Sequence, residues 1–225
     1  MEKLEANALL IDLDGTIADS SEVFEAAVGQ ALSAFGLASG SHRLGLEIVR
    51  GLQLDLSLDS LFEDHGIRKE LRDKFLNVFL QAFYDLATRR TRLLPNMEHT
   101  LNELSQDFSL ALITRRHVPK KRVAEELNRL QVDRFFQTIV TSLDVGEPTP
   151  STDPLLKAAD ELQVAIGKCV VVSDSGVDIR AGKRAGAKTV AVLSGLFSEE
   201  ELRKENPDLI IESIEVLPRY LIAVV

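Results

Sequence analysis

Six short stretches of this chain are apolar, rich in β-branched residues and uncharged until at most their last position. They are Ala8–Asp12 (ALLID), Ser109–Thr114 (SLALIT), Thr138–Ser142 (TIVTS), Cys169–Ser173 (CVVVS), Thr189–Leu193 (TVAVL) and Leu209–Glu212 (LIIE). A run without a polar side has no face to give to water, so it reads as a strand buried on both faces, as in a parallel sheet. Helical periodicity fills the gaps at about 97–107, 119–130, 153–163, 177–185 and 198–205, with a last helix near 213–222. Pro119 suits the first turn of its helix and Gly186 a helix C-terminus. Strands and helices alternating in this way predict an α/β fold, a doubly wound parallel sheet with helices on both sides.

One segment breaks the rhythm. Between the first strand and about residue 90 no convincing strand occurs. Phe24, Val28, Leu32 and Phe35 recur at helical spacing, as do Leu71, Phe75, Val78, Phe79, Ala82, Phe83 and Leu86, with Gly36, Gly40 and Gly66 as punctuation. The expected division is a core of residues 1–17 and 91–225, and an α-helical insert or cap of residues 18–90. Ligands of doubly wound sheets bind beyond the carboxyl ends of the strands. An insert leaving just after Thr16 would hang over that edge as a lid, with most of its phenylalanines used for packing.

Composition narrows the partners. A formal net charge of −9 argues against a nucleic-acid binder, which needs a basic face, but leaves room for a small anion held by local cations. The single cysteine, Cys169, lies inside an apparent buried strand and suits a reducing cytoplasm. No uninterrupted apolar run of about 18 residues is present, so no membrane span is expected. A monomer or homodimer fits equally well.

The chemistry gathers where strands end. The first run delivers Asp12 and Asp14, followed at once by Gly15 and Thr16. Side chains at i and i+2 of a strand share a face, and buried paired carboxylates are costly without compensating charge. A metal ion is the usual compensation, and hard carboxylate oxygens suit Mg²⁺. Three more segments end strands at the same edge: Thr114-Arg115-Arg116, the loop Gly146-Glu147-Pro148-Thr149-Pro150, and Ser173-Asp174-Ser175-Gly176-Val177-Asp178. Each alone is ordinary turn or cap chemistry; their order along the chain makes them one constellation. His42, His65 and His99 carry no metal-binding spacing. GVDIRAGKR only superficially resembles a Walker loop: Arg184 stands where Ser or Thr is required.

DLDGT, the strand ending in Thr114, and SDSGVD together resemble the motifs of the haloacid dehalogenase-like (HAD) phosphohydrolases, over nearly the whole chain. The insert between the first two motifs resembles the helical-cap subclass, which includes phosphoglycolate phosphatase, β-phosphoglucomutase, phosphonatase and the haloacid dehalogenases. The resemblance implies a nucleophilic Asp12, a general acid–base Asp14, and Mg²⁺ held by Asp12, the carbonyl of Asp14, and Asp174. It implies phosphate binding by Thr114 and nearby amides, including those at Gly15 and Thr16, with Ser175 and Asp178 orienting the groups around the metal. Arg115 and Arg116 would serve an anionic substrate. In the cap, Arg50-Gly51 resembles the subclass's substrate-specificity loop. Dehalogenases lack the second aspartate, so Asp14 favours phosphate chemistry. The expected function is Mg²⁺-dependent hydrolysis of a small phosphorylated metabolite such as phosphoglycolate. The alternatives are a sugar-phosphate phosphomutase and a HAD-like binding or regulatory protein with impaired catalysis.

One position departs from the pattern. The family's third motif carries Lys-Pro, and the matching residue here is Glu147. At an effective dielectric near 20, a unit charge at about 4 Å is worth roughly 4 kcal/mol, so glutamate facing the phosphate would slow the reaction by orders of magnitude. Either Glu147 turns to solvent, or another cation serves; Lys120, Lys121 and Lys157 are the candidates.

Overall fold

The computed structural model describes residues 3–37, 43–54, 56–147 and 150–224. Gly40, His42, Pro148 and Thr149 lie outside these described residues. The chain divides into two compact units, residues 1–19 with 92–225, and residues 20–91.

The first unit is built on a six-stranded sheet. In chain order its strands are β2 (Ala8–Asp12), β5 (Ser109–Thr114), β6 (Thr138–Thr141), β7 (Cys169–Ser173), β8 (Lys188–Val192) and β9 (Leu209–Ile211). In space they run β6-β5-β2-β7-β8-β9, every neighbouring pair parallel. The first of these strands therefore sits in the middle, and the order reverses there. That reversal leaves a crevice at the carboxyl ends, where doubly wound sheets bind ligands. The continuous apolar runs are explained by two covered faces. Ala8, Leu10, Ala111, Ile113, Cys169 and Val171 form one buried cluster with Leu155, Ala158 and Ala159 of α7 (Asp153–Glu161) and Ala181 of α8 (Gly176–Ala185). The alternate residues Leu9, Ile11, Leu110, Leu112, Val170 and Val172 are fully buried on the opposite face. There α5 (Met97–Asp107) contacts β5, and α6 (Lys120–Arg129) contacts β6.

Two features differ from the sequence expectation. Pro119 is the N-cap of α6 rather than a first-turn residue. The stretch near 213–222 is no α-helix but a 3₁₀ segment, Ile214–Tyr220, containing Pro218. It is followed by β10 (Leu221–Ala223), which pairs in parallel with β1 (Leu4–Ala6). Proline supplies no amide hydrogen and obstructs the preceding turn, so an α-helix would not continue through it. Gly186 closes α8 in the left-handed region, at φ 87°, as glycine does best.

Where the chain leaves this unit and returns, β3 (Ala18–Asp19) and β4 (Arg92–Leu93) pair antiparallel. The second unit is helical: α1 (Ser21–Ala34), α2 (Leu44–Gln53), α3 (Asp59–Asp64) and α4 (Arg72–Arg90). Its core is the predicted apolar periodicity made real. Phe24 meets Phe83 with ring centroids 4.6 Å apart, and Phe75 takes Phe62 edge-on at 5.9 Å. Such tilted and edge-to-face contacts suit the ring quadrupole. No helix among the described residues is long and apolar enough to cross a membrane.

Candidate active site

Strand order and register bring three chain segments to one edge. Asp12 is the last residue of β2, opposite Ile113 of β5, with Thr114 one step beyond; Ile11 lies opposite Val172 of β7, so Ser173 and Asp174 arrive beside Asp12. Asp14 gets there by another route than strand alternation. The strand stops at Asp12, and the amides of Ile17 and Ala18 donate to the Leu13 carbonyl, at 3.1 and 3.0 Å, folding the chain into a turn. Gly15 holds that turn at φ 82°, and a Cβ there would lie 2.6 Å from Asp174 Oδ2. Only glycine offers both the left-handed backbone and the close approach.

Thr16 ties the two strand ends together. Its hydroxyl donates to Asp12 Oδ2 at 3.4 Å and accepts from the Asp174 amide at 3.1 Å. Asp174 Oδ2 accepts from the Leu196 amide at 2.9 Å. Its other oxygen, Oδ1, is buried without a hydrogen-bond partner, as is the hydroxyl of Ser175. Ser173 donates to Asp178 Oδ2 at 2.8 Å, and its oxygen accepts from the Ser175 amide at 3.0 Å. Asp178 Oδ1 faces Arg115 Nε at 4.0 Å.

Burial and mutual repulsion dominate the electrostatics. Burial, then the charges of Asp178, Asp174 and Asp14, hold the Asp12 carboxyl well above the usual carboxylate range; Arg115 opposes them. Burial likewise pushes Asp174 up to about 7, against the Leu196 amide and Arg115, with Asp178 and Asp14 adding to the rise. Burying carboxylates this close together is unfavourable unless a cation joins them. Among the described residues no three acidic, histidine or cysteine side chains form a metal cage. The groups that could hold a cation are fewer: Asp12, Asp174 with its unpartnered oxygen, and the backbone at Asp14. That suits Mg²⁺, which takes one or two carboxylates and keeps water or substrate oxygens for its remaining positions.

The two arginines after Thr114 part company. Arg116 turns inward and is only 6% exposed. Its Nε and Nη2 donate to Asp14 at 2.8 and 2.6 Å, while Nη1 and Nη2 donate to Glu126 at 2.5 and 3.3 Å. Burial works against the guanidinium charge, but Asp14 and Glu126 outweigh it and raise its pKa. Arg116, offered above to a substrate, thus has its guanidinium engaged by two carboxylates instead. Arg115 stays half-buried beside Asp178. Thr114 is buried, and its hydroxyl accepts from the Arg116 amide at 3.3 Å.

Glu147 is exposed to solvent. Of the three lysines considered as substitutes, Lys120 and Lys157 each lie 3.2 Å from Glu161, while Lys121 is exposed, 3.9 Å from Glu125. Arg50 and Gly51 occupy the last turn of α2 in the helical unit, so they are helical residues rather than a loop. Sequence reading missed Glu126, although a signal exists. It falls between Val123 and Leu127, on the buried side of α6, where a carboxylate needs a partner. It also missed Gly195, whose Cβ would overlap the Asp174 carboxylate.

Comparison with known proteins agrees with this architecture. The family model for haloacid dehalogenase-like hydrolases matches residues 9–192. Phosphoglycolate phosphatase of Escherichia coli O157:H7 is 30% identical, over 97% of this chain and 94% of its own. Phosphoglycolate phosphatase of Aquifex aeolicus is 29% identical, over 89% of each. The solved structure of a haloacid dehalogenase-like family hydrolase from Streptococcus pneumoniae superposes with a TM-score of 0.79 at 22% identity, covering 96% of this chain and 98% of that one. Motif order, strand order and these matches agree that the chain belongs to the haloacid dehalogenase-like hydrolase family.

Proposed function

We propose that this protein is a Mg²⁺-dependent phosphatase of small phosphorylated metabolites, with phosphoglycolate as the first candidate substrate, acting through an aspartyl phosphate on Asp12. The observation that carries the reading is the pair Asp12 and Asp174. Asp174, buried and with an unpartnered oxygen, and the half-buried Asp12 stand at adjacent strand ends, at the reversal point of the sheet. The phosphoglycolate phosphatases among its relatives support the substrate class.

Asp12 and Asp174, with the Asp14 carbonyl, would hold the Mg²⁺. When bound, it supplies positive charge that keeps both carboxylates ionised and offsets charge on the transferring oxygens. In the first step an oxygen of Asp12 attacks phosphorus, the bond to the substrate oxygen breaks, and Asp14 gives that oxygen a proton. In the second, Asp14 takes a proton from water. The water oxygen attacks phosphorus, inorganic phosphate leaves, and the Asp12 carboxylate is restored. Arg116 orients Asp14 for both proton transfers. Thr114 supports the phosphoryl oxygens, and Asp178 holds Arg115 beside them; the amides of Gly15 and Thr16, expected to help, donate instead to the Ala18 and Leu13 carbonyls at 2.8 and 3.4 Å. Glu147, turned to solvent, takes no part in the chemistry.

The test is release of inorganic phosphate from p-nitrophenyl phosphate and from phosphoglycolate, with Mg²⁺ and with chelator. Mg²⁺-dependent, stoichiometric release that is lost in Asp12→Asn supports the reading. A phosphoryl group that is retained and moved within a sugar phosphate would make the protein a mutase. Absence of turnover on a broad panel of phosphate esters would leave a binding or regulatory role.

A further inference from the structure

A site that gathers Asp12, Asp14, Asp174 and Asp178 and then receives a phosphate needs fixed positive charge beyond one metal ion. The position that would bring a lysine in this family carries Glu147, and that side chain is exposed. Of the lysines considered, Lys120 and Lys157 pair with Glu161 at 3.2 Å, and Lys121 is exposed, 3.9 Å from Glu125. Arg116 is spanned between Asp14 and Glu126.

Arg115 is placed differently. It leaves the end of β5 directly after Thr114 and shares with Asp12, Ser173 and Asp178 the polar end of a cavity of about 10 Å³, water-sized and otherwise walled by Leu10, Ile113, Leu155, Val171 and Val172, which places the guanidinium beside Asp12. Its Nε lies 4.0 Å from Asp178 Oδ1, while the other Asp178 oxygen is held by Ser173. At 4.0 Å the contact with Asp178 is longer than a charge-assisted hydrogen bond, so the guanidinium is steered rather than locked. A planar guanidinium can also grip two phosphoryl oxygens at once, which an ammonium cannot.

We propose that Arg115 is the phosphoryl-binding cation of this site, supplying from the end of the second core strand the charge that position 147 lacks. Asp178 and Ser173 form the bracket that aims it. The proposal rests on the phosphatase reading for its catalytic consequence, but not for its binding consequence.

Binding and turnover are therefore measured separately on the full chain. Affinity for inorganic phosphate, with Mg²⁺ present, is read by calorimetry for wild type, Arg115→Met, Arg115→Lys, Glu147→Lys and the double variant Arg115→Met/Glu147→Lys. Arg115→Met is expected to weaken phosphate binding at least tenfold and to lower kcat/KM by about 10²–10³, the range for loss of one charge-stabilising donor. Arg115→Lys, which keeps the charge but not the planar fork, is expected to bind phosphate more tightly than Arg115→Met and more weakly than wild type. Glu147→Lys alone should change little, and in the Arg115→Met background it should restore binding at least tenfold, because the two positions would serve one function. Thermal melting alongside guards against unfolding, with Arg115→Lys as the conservative check. Phosphate binding by a folded Arg115→Met protein equal to wild type overturns the proposal, as does a double variant no better than Arg115→Met. A wild type that turns over esters with an indifferent Arg115 would sink this inference and leave the phosphatase reading standing. A wild type without turnover, but with Arg115-dependent phosphate binding, would do the reverse.

Discussion

Arg116 offers the most demanding test of the site's construction. Its guanidinium is 6% exposed and Glu126 is 1% exposed, and both ends of the bridge are hydrogen-bonded. Replacing Arg116 by methionine keeps most of the volume and strands Glu126 as a buried, uncompensated charge. Breaking a buried pair from one side costs about 3–5 kcal/mol. Asp14 adds little to that figure, because its side chain is 16% exposed and water can reach it. At roughly 2–4 °C per kcal/mol for a chain of this size, the midpoint should fall by about 6–20 °C. Thermal and urea melts of Arg116→Met, Glu126→Leu and the double variant close a mutant cycle. The double variant removes both charges and should recover to within about 1–2 kcal/mol of wild type, since buried pairs often exchange for apolar residues at little net cost. It should not recover kcat, because Asp14 would still lack the group that aims it. If Arg116→Met melts within about 1 kcal/mol of wild type, or the two substitutions simply add, the buried bridge is not a coupled unit and the reasoning is wrong.

Two further outcomes follow from the carboxylate cluster. Asp174→Asn should weaken Mg²⁺ binding at least tenfold by calorimetry, because the unpartnered Oδ1 loses its charge; an unchanged affinity would remove Asp174 from the ligand set. In chelator, the stability of the protein should fall as pH rises from about 4 toward 7. The Asp174 carboxyl titrates near 7 when folded against an ordinary value of 3.8, so the folded state binds more protons in that window and loses stability as they leave. Saturating Mg²⁺ should flatten the slope, and a metal-free melting curve that rises with pH through this window would contradict the cluster.

Much of this was legible in the chain because the physics is local. A strand covered on both faces has to be apolar throughout, and the six core strands read that way within a residue or so of their bounds. What escaped is non-local. β1 and β10 are three residues each and join opposite ends of the chain, so no local pattern announces them. Ile214, Leu217 and Leu221 are all buried, at spacings that mimic an amphipathic helix, and only Pro218 argued otherwise. Of the site, the segments at the strand ends could be named from the sequence, but neighbouring arginines could not be told apart. Arg115 and Arg116 differ only in which side of the β5 extension they leave, and that is decided by a carboxylate ten residues later, on the buried side of α6. Glu147 and the three lysines show the same limit: charge was visible, direction was not.

The central claim is that Asp12 carries the phosphoryl group. The direct measurement is a single turnover with a radiolabelled phosphate ester and Mg²⁺, quenched in acid and mapped by peptide. The account predicts a hydroxylamine-labile label on the peptide that contains Asp12, appearing before inorganic phosphate is released and absent from Asp12→Asn. Turnover with no labelled protein, or with the label on a different residue, would contradict it.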